Sequence, residues 1–149
     1  MFDKLFSRFK KAEPAAESTN DALALSVAAL LVEAARMDQH YEASEIAIID
    51  RALKAKFGLN DADAAALRAK AETEQANATD IQRFTKVAKA MNAEEKIGLI
   101  ESLWEIILSD GNRDSFEDTL MRRICGLIYV DDQDSGAARA RVAARLNLS

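Results

Sequence analysis

Residues 21–41 read DALALSVAALLVEAARMDQHY, and residues 93–110 read AEEKIGLIESLWEIILSD. These two stretches decide the fold. The first carries apolar side chains on most faces of a helix, which suits a segment buried among other helices. The second places Ile97, Ile100, Trp104, Ile107 and Leu108 on one stripe at helical spacing. Alanine is abundant and Pro14 is the only proline, so little in the chain opposes helix formation.

Working outward, EIAIIDRALKAKF (residues 45–57) predicts a second helix with Gly58 as its C-terminal cap. Asn60 is placed to cap a third through Ala76, with Asp61 and Asp63 favourable to its dipole. DIQRFTKVAKAM (80–91) predicts a fourth, with Ile81, Phe84, Val87 and Ala88 on one face. Asn92 followed by Glu95 forms a capping-box signature before residues 93–110. SFEDTLMRRICGLIYV (115–130) predicts another helix. Residues 131–136 read as a turn, with Ser135 capping a final basic helix, ARARVAARL. At the front, Phe2, Leu5, Phe6 and Phe9 share a face bordered by Lys4, Arg8, Lys10 and Lys11, a short amphipathic basic helix. Residues 12–20 read as a linker, so the expected organisation is an N-terminal segment over 1–19 and one helical domain over 20–149.

A shift of 72 residues, the separation of Asp38 from Asp110, superposes two helix–loop–helix units. Leu31 meets Leu103, Val32 meets Trp104, and Glu33 meets Glu105; Ile48 meets Leu120, Ile49 meets Met121, Arg51 meets Arg123, and Phe57 meets Tyr129. The apolar positions agree without gaps. The expected fold is therefore all-α, a compact bundle of about seven to eight helices built from two duplicated units.

The same shift brings acids together at both bends. DQHYEASE (38–45) supplies Asp38, Glu42 and Glu45; DGNRDSFE (110–117) supplies Asp110, Asp114 and Glu117. Carboxylates are hard oxygen donors suited to Ca²⁺ or Mg²⁺. Two of them about 6 Å apart repel by roughly 3 kcal/mol at an effective dielectric near 20, so three converging acids favour a cation or a proton. Asn112 offers a carbonyl ligand where the first bend has His40. The plainer reading stays open: Asp114 and Glu117 also have the spacing of a helix-capping pair, and Glu42 can be a solvated residue. Neither bend is an EF-hand, because Ser115 stands where that loop needs glycine and Met121 and Ile49 stand where it needs its bidentate glutamate.

Other chemistries find little support. The net charge of -5 opposes wholesale nucleic-acid binding. Cys125 is the only cysteine, which excludes an internal disulfide and a thiolate zinc cluster; its apolar surroundings predict a buried, inert thiol. His40 is the only histidine, so the Glu-x-x-His pairs of a di-iron bundle are missing. Ser26, Ser44 and Ser115 have no histidine base in their own segments, and no glycine-rich phosphate loop occurs. Trp104 lies on the apolar stripe and is expected in the core. No run reaches the length of a membrane span and the start has no signal-peptide pattern, so a cytoplasmic location is the default expectation.

The helix–Asp-Gly-x-x-x-x-x-Glu–helix pattern, present as DGNRDSFE and in weaker form as DQHYEASE, resembles the TerB-like family linked to tellurite resistance. The resemblance spans residues 20–148. It implies a compact helical bundle, usually bacterial, associated with stress and tellurite response and with metal binding near membranes. By position it implies Asp38, Glu42, Glu45, Asp110, Asp114 and Glu117 as the acidic residues. The first bend departs from the pattern, with Gln39 in place of glycine. The expected function is a non-enzymatic module binding a divalent cation, Ca²⁺ or Mg²⁺, with no catalytic residues. The competing expectation is a metal-free scaffold that contacts a protein partner or, through its N-terminal helix, the surface of a membrane.

Overall fold

Every residue from Val27 to Val32 is buried, as are Ala24, Ala34 and Ala35; a helix apolar on all sides has to be enclosed by other helices. A computed structural model of the chain, describing residues 15–37, 41–109 and 115–147, shows how. The described residues form seven helices and no strand. They are α1 (Ala15–Arg36), α2 (Ala43–Phe57), α3 (Asp61–Asn77), α4 (Gln82–Ala88), α5 (Ala93–Ser109), α6 (Ser115–Ile128) and α7 (Asp132–Arg145). Helix α1 packs against α2, α3, α4 and α5, and α5 packs against α1, α2, α6 and α7. The two long apolar stretches are thus the paired centre of the bundle. Leu99, Ile100, Leu103, Ile106 and Ile107 of α5 are buried against that centre with Trp104.

The local signals in the sequence set most helix ends. The Asn60 side chain accepts from the Asp63 amide at 2.8 Å. At α5, the Asn92 side chain accepts from the Glu95 amide at 2.8 Å while Glu95 accepts from the Asn92 amide at 3.0 Å, a reciprocal capping box. Gly58 closes α2 in the left-handed conformation, φ 66°, which costs a glycine nothing.

Two helix starts differ from expectation. Helix α1 already runs from Ala15, so residues 15–20 are helical and not a linker; the favourable propensity of alanine and glutamate there lets the central helix start earlier. Helix α7 begins at Asp132, with Asp131 as its cap accepting from the Asp134 amide at 2.8 Å. Ser135 and Gly136 therefore lie inside the helix, and Ser135 has another task described below. The amphipathic stretch expected over residues 1–11 lies outside the described residues. No described helix is long and apolar enough to cross a membrane.

The duplication is visible in three dimensions. Helices α1, α2 and α3 recur as α5, α6 and α7, and in both units the first helix packs on the third. The shift of 72 residues holds through most of α2 and α6: Ile48 and Leu120, Ile49 and Met121, and Leu53 and Cys125 are all buried. The register then changes. Helix α6 is one residue shorter than α2, so the caps Asn60 and Asp131 stand 71 apart. The twin of Tyr129 is accordingly Gly58, not Phe57. Helix α4 breaks the symmetry as well. It packs against both α1 and α6, whereas α2 of the first unit packs directly on α5.

Candidate functional site

Each bend joins a central helix to the next one. In the first unit the chain leaves α1 at Arg36 and re-enters helix at Ala43; in the second it leaves α5 at Ser109 and re-enters at Ser115. Glu42 immediately precedes α2, as Asp114 immediately precedes α6. Glu45 and Glu117 both fall in the first turn of their helices. The two acid triads thus hold the same positions relative to the helix starts.

Glu42 and Glu45 are the two acids whose side chains can be described. Glu42 is the N-cap of α2, with φ -112° and ψ 175°. The Glu45 carboxylate accepts from the Glu42 amide at 3.0 Å, closing a capping box. Glu45 is buried and Glu42 exposed. The capping role that the sequence suggested for Asp114 and Glu117 is therefore realised by Glu42 and Glu45 in the first unit. One amide bond uses one of about four lone-pair positions on a carboxylate, so capping and metal ligation are chemically compatible. Asp38, Asp110, Asp114 and His40 lie outside the described residues, as does the side chain of Glu117. Among the described residues, no group of three or more acidic, histidine or cysteine side chains is placed to hold a metal ion.

A polar network braces the first bend where it rejoins α2. The Tyr41 hydroxyl donates to Glu72 Oε2 at 2.5 Å. The Arg36 guanidinium lies 5.0 Å from the centre of the Tyr41 ring and donates to the Glu72 carbonyl at 3.1 Å and to Gln75 Oε1 at 2.6 Å. The Gln75 amide group donates to Glu33 at 2.7 Å. Arg68 completes the set, donating to Asp50 at 2.6 Å and to Glu72 at 3.0 Å. Helices α1, α2 and α3 are tied together on both sides of the bend. Burial, then the hydrogen bond from Tyr41 to Glu72 and the charge of that carboxylate, push the Tyr41 hydroxyl well above the ordinary tyrosine range. It stays a donor.

The sequence reading missed this network. Only the Arg68–Glu72 spacing announces itself as a helical i,i+4 pair; the other contacts join residues more than fifteen positions apart. Among the described residues, the second unit has no copy of it. Leu108, Ala143 and Leu146 stand at the positions equivalent to Arg36, Glu72 and Gln75. There Trp104 replaces Val32, and its indole N–H donates to Ser135 Oγ at 3.2 Å where the first unit has Ala64. The Arg139 guanidinium lies 5.6 Å from the Trp104 ring centre. The cysteine of this region, Cys125, is buried, and burial pushes its thiol up.

With the helix order established, the comparison with known families is decisive: the family model described as tellurite resistance protein TerB matches residues 24–140. The chain belongs to the TerB family. The match runs from the first buried turn of α1 into α7, so it takes in both units and both acidic bends of this TerB domain. No curated protein and no solved structure matches the chain.

Proposed function

We propose that this TerB-family chain is a non-enzymatic accessory module that binds a divalent cation, Ca²⁺ or Mg²⁺, in the setting of tellurite or related stress resistance. Asp38, Glu42, Glu45, Asp110, Asp114 and Glu117 are the ligands in this reading. The observation that carries it is the equivalent placement of the two triads. Each has one acid just before a helix start and one in the first helical turn, in two units that differ at several other polar positions. The divergence matters: Leu108, Ala143 and Leu146 replace the polar Arg36, Glu72 and Gln75, yet the acids recur. Hard oxygen donors grouped at a bend suit these ions. The network around Glu72 would hold the first bend in place as the charge of the site changes.

A ligand that binds only the native state stabilises it by mass action, by about 2.7 kcal/mol at a hundredfold excess over Kd. Calorimetric titration of the metal-stripped protein with Ca²⁺ and Mg²⁺ is expected to show saturable binding. The melting temperature of the wild type is expected to rise with the ion, and an Asp38→Asn/Asp110→Asn variant to lose most of that rise. Equal responses of the two proteins to every divalent ion would end the proposal.

A further inference from the structure

We infer that Tyr129 and the lysines beside it form a docking surface for a short acidic segment of a partner protein. Tyr129 is the one exposed large hydrophobic residue among those described, at 75 % exposure. It also stands in the left-handed region, φ 65°. The turn does not require a tyrosine. The twin turn is made by Gly58 at φ 66°, and both turns close with the same bond, Leu59 N–H to the Lys54 carbonyl at 3.2 Å and Val130 N–H to the Cys125 carbonyl at 2.9 Å. A strained residue whose side chain gains little burial in return points to a use outside the fold.

The surroundings indicate what that use is. The Lys89 and Lys96 ammonium groups each lie 5.9 Å from the Tyr129 ring centre. A groove of about 270 Å³ opens beside the ring, walled by Thr85, Lys86 and Lys89 on one side and by Gly126 and Leu127 on the other. No carboxylate lines it. Among the described residues, Lys86, Lys89 and Lys96 take part in none of the salt bridges. A Cβ added at Gly126 would meet nothing within 4 Å, so the wall is open to an incoming side chain. Tyrosine is among the residues that dominate binding energy at interfaces, and unpaired lysines beside it select negative charge.

The size of the patch chooses the partner. The chain as a whole carries -5, so an extended polyanion such as nucleic acid or an anionic membrane meets net repulsion. A short peptide senses only charges within about 8 Å, the screening length at physiological salt. The chain's own N-terminal stretch, with Lys4, Arg8, Lys10 and Lys11, has the wrong sign to fill the groove. This inference does not depend on cation binding at the bends.

The test is an array of short synthetic peptides that vary in acidic content, probed with the full chain. Acidic peptides are expected to be retained, with binding that weakens as salt rises. Tyr129→Gly and Lys86→Ala/Lys89→Ala are each expected to weaken that binding by about tenfold or more, while Tyr129→Gly melts no lower than the wild type. Three results would overturn the inference: no acidic peptide retained, retention unchanged in Tyr129→Gly, or phosphatidylserine vesicles or a single-stranded oligonucleotide held more tightly through the same lysines. Self-association of the chain that is lost in Tyr129→Gly would also overturn it, by assigning the surface to a second copy.

Discussion

Gly58 and Tyr129 make the same left-handed turn with opposite side-chain consequences, and they give a matched pair of predictions. Gly58→Ala meets no steric neighbour, so its effect is backbone strain alone, a destabilisation of about 1 kcal/mol. Tyr129→Gly relieves that strain and is expected to stabilise by about 0.5–1 kcal/mol. Chemical denaturation of both variants checks the signs. Tyr41 answers to pH. Its folded pKa is raised, so its contribution is complete below the pKa of the unfolded tyrosine, about 10. It is lost as the pH climbs above that value, where the unfolded chain releases its proton first. Denaturation midpoints of the wild type are expected to fall from about pH 9.5 upward, and Tyr41→Phe to flatten that fall. A wild type with no alkaline slope relative to Tyr41→Phe would show that the hydroxyl is not held by Glu72.

At the level of the helix, the caps were the most legible feature of the chain. Asn60, Asn92 with Glu95, and Gly58 act through backbone groups within a few residues, so sequence spacing alone locates them. Asn60→Ala, Asn92→Ala and Asp131→Ala are each expected to cost about 1 kcal/mol, nearly additively because the sites are far apart. An Asn92→Ala protein with an unchanged unfolding midpoint would remove the capping box from the account of α5. The final helix was less legible. Ser135 has the chemistry of a cap, but burial of Trp104 gives its hydroxyl an indole partner, and Asp131 takes the helix start. A tertiary contact thus redirected a local preference.

Across the whole molecule, stability rests on the apolar contact of α1 with α5 and on the helices each of them recruits. Leu31 and Leu103 are twins, both fully buried. Alanine at either is expected to cost about 2–5 kcal/mol, measured as a shift in denaturant midpoint. The ion pair between Arg51 and Glu105 also joins the units, but its arginine is 61 % exposed, and exposed pairs contribute at most about 1 kcal/mol. Arg51→Ala is therefore expected to leave the bundle nearly as stable as before. The duplication itself was visible as a sequence shift. The one-residue change of register was not, because amphipathic helices tolerate such a step and only the cap geometry reveals it.

The linear chain by itself determined the helical class, the central position of residues 27–32, the pairing of two units, most helix starts and the recurrence of acids at both bends. All of these depend on composition, on period or on contacts a few residues apart. The tertiary structure alone decided which polar groups meet. It joined Glu33, Arg36, Tyr41, Asp50, Arg68, Glu72 and Gln75 into one network, turned Glu45 to the Glu42 amide, and left Tyr129 exposed between lysines from two other elements. Hydrogen bonds and ion pairs have ranges of a few ångströms, so their partners are chosen by how the helices pack, which the order of residues along the chain specifies only through the completed fold.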